Sequence, residues 1–160
     1  MKELYIIRHA KTERIQANQR DFDRELTERG LRQCADLSNY IQGDFQDLDL
    51  ILVSSAKRTQ MTFNALNKVL DSKRIEFLPQ LYLASAKEIM QIILDFAYDL
   101  DRVLLIGHND GINDLVSYFL NDYQHVPTSG YLHFQFPVDS WEYITKGSGI
   151  LRDSFFSAER

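Results

Sequence analysis

Twice in this chain an uninterrupted apolar run ends in a histidine, and no other feature narrows the fold as much. Leu4-Tyr5-Ile6-Ile7 leads into Arg8-His9-Ala10-Lys11-Thr12, and late in the chain Val103-Leu104-Leu105-Ile106 leads into Gly107-His108-Asn109. Apolar runs without polar alternation suit strands covered on both faces, as in parallel sheets. Ligands of an open α/β sheet bind beyond the carboxyl ends of its parallel strands. If the two strands lie side by side, His9 and His108 meet over one crevice.

The segments between these runs supply the covering layers. After a polar, aperiodic loop over residues 13–24, Thr27 is placed to cap a helix whose apolar face runs Leu31, Cys34, Ala35, Ser38 and Ile41, ending near Gly43. Leu50-Ile51-Leu52-Val53 reads as a buried strand, and Ser54-Ser55 turns into a second helix carrying Thr62, Ala65, Leu66, Val69 and Leu70 on one side. Ile75-Glu76-Phe77-Leu78 is a shorter strand stopped by Pro79. Ser85 and Glu88 form a capping box for a third helix, with Ile89, Ile92, Ile93 and Phe96 facing inward. Ile112, Leu115, Val116, Phe119 and Leu120 give a fourth. Beyond Pro127 the period changes to two, with Leu132, Phe134 and Phe136 on one face and Tyr131, His133 and Gln135 on the other; residues 141–145 are expected to pair with it as an antiparallel edge. Strands alternating with helices imply an α/β three-layer sandwich, its mainly parallel sheet flanked by helices. With 160 residues and no linker or repeat, one domain over residues 1–160 is expected.

Composition matters for what it excludes. A formal net charge of −5 argues against a nucleic-acid or anionic-membrane partner, because such proteins carry a basic excess. No apolar run is long enough to cross a bilayer, the amino-terminal residues lack a signal-peptide core, and the single cysteine has no partner for an intramolecular disulfide, so the expected location is the cytoplasm. Cys34 lies on a helical stripe and reads as an inert buried thiol. Asp36, Asp44, Asp47 and Asp49 read as solvated charge, since no ligand spacing recurs among them.

Against that acidic background, a few cations stand out. Arg8 and His9 close a buried strand, where charge is rarely placed without a partner; alone, the pair is equally well an exposed strand terminus. Arg58 stands near the start of a helix, where a cation opposes the helix dipole and a bound anion would repair the misfit. His108 alone would read as a structural histidine. Together, three strand ends each release a residue suited to a phosphoryl group.

These residues fall in ordered motifs: Arg8-His9-Ala10, Leu26-Thr27-Glu28-Arg29-Gly30, Ser54-Ser55-Ala56-Lys57-Arg58-Thr59 with Thr62, and Gly107-His108-Asn109. In that order they resemble the histidine phosphatase superfamily, and the Leu81-Tyr82-Leu83-Ala84-Ser85 segment with the chain length is most similar to its small SixA-type phosphohistidine phosphatases. The resemblance runs from Leu4 to about Asn121, with an echo at Pro127-Thr128-Ser129-Gly130. It implies a phosphoglycerate mutase-like fold, a nucleophilic His9 that becomes phosphorylated, Arg8 and Arg58 on the phosphoryl oxygens, and His108 completing the pocket. It further implies a phosphorylated protein or small phosphorylated substrate as partner, and no metal or organic cofactor. Arg24 resembles a substrate-side arginine, although Glu25 replaces the proline often beside it. Asn109 either reaches the pocket or caps the following helix, the second being the favoured expectation. Thr128 and Ser129 either reach the site or form a turn, and Ser54 and Ser55 are equally open. His125 and His133 are read as structural.

The residue chemistry agrees with those roles. A neutral imidazole attacks phosphorus, neighbouring guanidinium charge favours the neutral form of His9, and a dianionic phosphate would favour the protonated form of His108. Two departures from the family pattern shape the expectation. Ala10 replaces the usual glycine, which requires that the backbone there avoid positive φ. Residues 81–85 lack the carboxylic acid with which larger members protonate a leaving alcohol; an alkoxide leaves poorly unprotonated, whereas imidazole leaves phosphohistidine with less help, so phosphohistidine is the expected substrate. The alternatives are a phosphatase for a small ester or phosphoramidate, an idle phosphate- or phosphopeptide-binding module, and a mutase, for which the short chain leaves little room.

Overall fold

The structure is a computed structural model that describes residues 1–43 and 45–158; Asp44 lies outside the described residues. In chain order the elements are β1 (Lys2–Arg8), α1 (Glu28–Ile41), β2 (Phe45–Leu48), β3 (Leu50–Ser54), α2 (Lys57–Leu66), β4 (Leu70–Ser72), β5 (Ile75–Leu78), α3 (Ala86–Ala97), β6 (Arg102–Gly107), α4 (Gly111–Leu120), β7 (Tyr131–Phe136) and β8 (Ile150–Phe155). Six strands form the main sheet in the order β5-β3-β6-β1-β7-β8. The first four of these are parallel, and β7 and β8 add an antiparallel edge.

The apolar runs are uninterrupted because both sheet faces are covered. Leu4, Ile6, Leu50, Leu52, Val103 and Leu105 point into a core closed by α3 and α4, through Ile89, Ile93, Ile112, Val116 and Phe119. Their neighbours Tyr5, Ile7, Ile51, Val53, Leu104 and Ile106 point the other way, against Cys34, Leu37 and Ile41 of α1 and Phe63 and Leu66 of α2. Burial pushes the Cys34 thiol up to about 12, which makes it inert. The expected caps are in place: Thr27 accepts from the Gly30 N–H, and Ser85 with Glu88 forms a reciprocal capping box.

Three expectations need correction, and one strand was not anticipated. On α1 the buried stripe is Gly30, Gln33, Cys34, Leu37 and Ile41, while Leu31 and Ala35 are exposed; Gln33 displaces them because its amide has partners inside. The second helix stops at Leu66, and Val69 and Leu70 leave it through a 3-10 turn into β4, which pairs with an unanticipated strand, β2. Phe45 and Leu48 of β2 are buried three residues apart, a spacing without strand alternation. Residues 141–145 do not form the edge: Trp141 begins a 3-10 turn, buries its ring and donates its indole N–H to the Leu100 carbonyl, and β8 takes the place beside β7. Among the described residues, no helix is long and apolar enough to cross a membrane.

Candidate active site

The β1–β6 register builds the base of the site. Arg8 lies opposite Gly107, so the next residue of each strand is a histidine, and the His9 N–H donates to the Gly107 carbonyl at 3.1 Å. The two rings stand 5.4 Å apart between centroids, inclined by 55°. Both are buried.

The hydrogen bonds fix the chemistry of each ring. His9 Nδ1 lies 2.8 Å from the Ala10 carbonyl oxygen, which can only accept, so Nδ1 carries the hydrogen and Nε2 the lone pair. Burial, followed by the charges of Arg8, Arg58 and Arg24, outweighs that carbonyl and pushes His9 down to about 3, which keeps the ring neutral at physiological pH. Burial is thus the larger cause, ahead of the guanidinium charge that the sequence suggests. His108 Nε2 lies 2.8 Å from Ser54 Oγ, and its buried Nδ1 has no protein partner. Burial and the neighbouring His9 and Arg58 push His108 down to about 3 as well. With the chain's own groups, then, His108 is neutral, and its protonation depends on the anion it meets.

Two guanidinium groups share the cavity with these rings. Arg8 donates from Nη1 to the Val126 carbonyl at 3.0 Å, and its Nε is buried without a protein partner. Arg58, the second residue of α2, is fully buried at the helix start where the sequence shows a dipole misfit. Its Nη1 donates to the Asp21 carbonyl at 2.7 Å and its Nη2 to the Asp21 carboxylate at 3.0 Å, while Nε has no protein partner. Arg8, His9, Arg58 and His108 share one cavity of about 470 Å³ with Lys11, Thr12, Asp21, Arg24, Leu83, Asn109 and Thr128.

The backbone behind the base is tied down at each step. The Ala10 N–H donates to Thr62 Oγ1 at 3.1 Å, and that hydroxyl donates to the Arg58 carbonyl at 2.8 Å, so one threonine joins the strand end to the helix carrying Arg58. Ala10 is buried and is not among the residues with positive φ, so its methyl is accommodated. Gln33 accepts the Lys11 N–H and donates to Thr128, and the Ser129 N–H reaches the Arg8 and His9 carbonyls. Thr128 therefore lines the cavity, whereas Ser129 supports it from behind. Gly30 lets α1 approach closely: a Cβ there would stand 2.2 Å from the Lys11 carbonyl oxygen.

Of the remaining candidates, Arg24 lines the cavity but is engaged by Asp21, Thr12 and the Glu13 carbonyl. Asn109 does not cap α4. Asp110 holds the N-cap position, and Asn109 instead lines the cavity, donating to the Val126 carbonyl with its Oδ1 buried and without a protein partner. His125 is exposed, and His133 is stacked on Tyr5 and paired with Glu3, away from the cavity. Among the described residues no group of three or more His, Cys, Asp or Glu is placed to hold a metal.

Sequence reasoning missed Asp21 and Tyr82. Asp21 reaches the site from a 3-10 turn in the aperiodic loop, bonded to Arg24, Arg58 and the Tyr82 hydroxyl. Burial raises its pKa, but the Tyr82 and Arg58 hydrogen bonds with the charges of Arg58 and Arg24 prevail and hold it at about 2. Its spacing of three from Arg24 was the single local clue. Tyr82 also meets His108 edge to face, with Arg58 5.7 Å from its ring centre.

One family model matches the chain, over residues 4–82, from β1 to the turn before α3. That family is the histidine phosphatase superfamily, branch 1. The matched span holds Arg8, His9, Arg24 and Arg58, and along nearly the whole chain solved structures share the fold. A Nakamurella multipartitia protein provisionally assigned as the phosphohistidine phosphatase SixA superposes with a TM-score of 0.83 at 19% identity, covering 99% of this chain and 97% of that one. A protein histidine phosphatase SixA complexed with tungstate gives 0.77 at 20%, covering 95% of each chain. Phosphoserine phosphatase from Entamoeba histolytica with 3-phosphoglyceric acid gives 0.65 at 19%, covering 98% of each. The comparison with curated proteins gives no match. The fold is the mixed α/β, phosphoglycerate mutase-like sandwich.

Proposed function

We propose that residues 1–160 form a single phosphatase domain of the histidine phosphatase superfamily, hydrolysing phosphohistidine on a protein through a phosphorylated His9. The observation that carries this reading is the neutral His9 ring, its Nε2 lone pair left free by the Nδ1 bond to Ala10, sharing one cavity with the half-buried Arg8, the buried Arg58 and a second imidazole. His9 Nε2 attacks phosphorus as the substrate's P–N bond breaks, with Arg8, Arg58 and His108 spreading the charge of the three oxygens. Water then cleaves the phosphoenzyme, and His9 departs as neutral imidazole because Nδ1 keeps its hydrogen.

The leaving group favours phosphohistidine over a simple ester. Among the described residues lining the cavity the one carboxylate is Asp21, which is held ionised and has no proton to give an alkoxide. A SixA of similar fold is known in complex with tungstate, an oxyanion of the kind this cavity is proposed to hold. The test is an alkaline quench of enzyme mixed with a phosphohistidine peptide, followed by mass spectrometry. A phosphoryl group on His9, and loss of at least a thousandfold in turnover for His9→Ala, are expected; full turnover by His9→Ala refutes the mechanism.

A further inference from the structure

We propose that Asp21 determines specificity for phosphohistidine, its carboxylate accepting the ring N–H of the leaving imidazole on the side away from phosphorus. The inference deepens the reading above and rests on it. Asp21 is a carboxylate in the wall of a cavity otherwise lined by cationic, imidazole, hydroxyl, amide and aliphatic side chains, an arrangement that by charge alone works against a dianionic phosphoryl group. It is held there deliberately: Arg24 Nε at 2.9 Å on Oδ1, Arg58 Nη2 at 3.0 Å and the Tyr82 hydroxyl on Oδ2. An ionised carboxylate has about four acceptor positions, and these three bonds leave one on Oδ1. The side chain remains 37% exposed and lines the cavity, where a ligand can meet it.

The chemistry of the leaving group supplies a use for it. The nitrogens of an imidazole lie on opposite sides of the ring, so with phosphorus seated over His9 the second nitrogen points outward to the rim. When that nitrogen bears hydrogen, the phosphorylated ring is cationic. As the P–N bond breaks, its electron pair passes to the ring nitrogen, and neutral imidazole leaves with its N–H retained. No proton need be delivered to the leaving atom. Without that hydrogen the group must leave as imidazolate, a far poorer leaving group. A fixed carboxylate at the rim favours the cationic ring by opposite charge and a charge-assisted hydrogen bond. The same charge disfavours leaving groups that develop negative charge there, such as phenolates. It also occupies Arg24, which would otherwise be available to a substrate carboxylate.

The test compares the full chain with Asp21→Asn on two substrates, a phosphohistidine peptide and p-nitrophenyl phosphate. A charge-assisted hydrogen bond predicts that Asp21→Asn lowers kcat/KM for the peptide by about tenfold to a hundredfold. The aryl ester reports folding and the placement of Arg58, whose Nη2 the carboxylate holds, so any loss of that placement lowers both substrates alike, and the peptide is expected to fall about tenfold to a hundredfold further than the ester. A parallel fall on both substrates would assign Asp21 to positioning Arg58 and overturn the proposal, as would an unchanged ratio. Asp21→Ser gives the same reading should the amide variant not fold. Wild-type enzyme that cleaves the aryl ester but not the peptide overturns the proposed function and this inference together, whereas peptide turnover with an unchanged ratio overturns this inference alone.

Discussion

Two buried neutral histidines make this fold acid-sensitive by a calculable amount. His9 and His108 are both pushed from the ordinary 6.5 to about 3, chiefly by burial. In the unfolded chain each titrates near 6.5, so below that pH the unfolded state binds protons that the folded state refuses, and stability falls as pH falls. The contribution is complete above about pH 7.5 and drains away as pH descends from 6.5 toward 3. At pH 5 each ring costs about 2 kcal/mol relative to pH 7.5, or about 4 kcal/mol for the pair if they act independently, because the folded pKa lies well below 5. That is a large share of the roughly 5–15 kcal/mol that stabilises a typical domain. The assay is urea unfolding at pH 7.5 and pH 5.0 for the wild type, His9→Gln and His108→Gln. Carboxylates contribute alike to all three proteins, so each variant should show a drop smaller by about 2 kcal/mol. A drop of the same size in the variants would mean that the rings already titrate normally in the folded protein, and the account of a neutral nucleophile would fail with it.

Two further predictions follow from single contacts. Gly30→Ala places a methyl 2.2 Å from the Lys11 carbonyl oxygen, so α1 or the loop after β1 must move; a loss of about 1–3 kcal/mol in thermal or urea unfolding is expected, with reduced phosphatase turnover. Ser54→Ala removes the partner of His108 Nε2 inside the core; it should cost about 1–3 kcal/mol in unfolding free energy and lower kcat, read side by side on one preparation.

The fold was legible where pattern and burial coincide. The runs ending at His9 and His108 are continuous because each alternate residue meets a different helix layer, and that same continuity marked them as strands covered on both faces, whereas their adjacency is supplied by the β1–β6 pairing. Thr27 and Ser85 cap the helices they announce, since capping is local chemistry. Legibility failed where burial is decided by distant partners. Gln33 is inside because Lys11 and Thr128 need its amide, and nothing near it in the chain says so. Trp141 looked like a strand residue but serves to cover the α3–α4 layer, leaving β8, whose residues are largely exposed, to pair with β7. In the site, Arg8, His9, Arg58 and His108 were readable from strand ends and motif order. Asp21 was not, because a loop carboxylate acquires meaning only through Arg58 and Tyr82, which are remote in sequence.

The bond from the His9 N–H to the Gly107 carbonyl makes the two imidazoles successive rungs of a sheet rather than guests of flexible loops. Their separation is inherited from the spacing of neighbouring hydrogen-bonded strands, about 4.7–4.9 Å. The rim, by contrast, is built from Lys11, Thr12, Asp21, Arg24 and Leu83, outside the regular elements of the main sheet. On the proposed reading, reaction and selectivity are housed in different materials, a sheet that sets the spacing of the imidazoles and a loop rim joined to it where Asp21 holds Arg58.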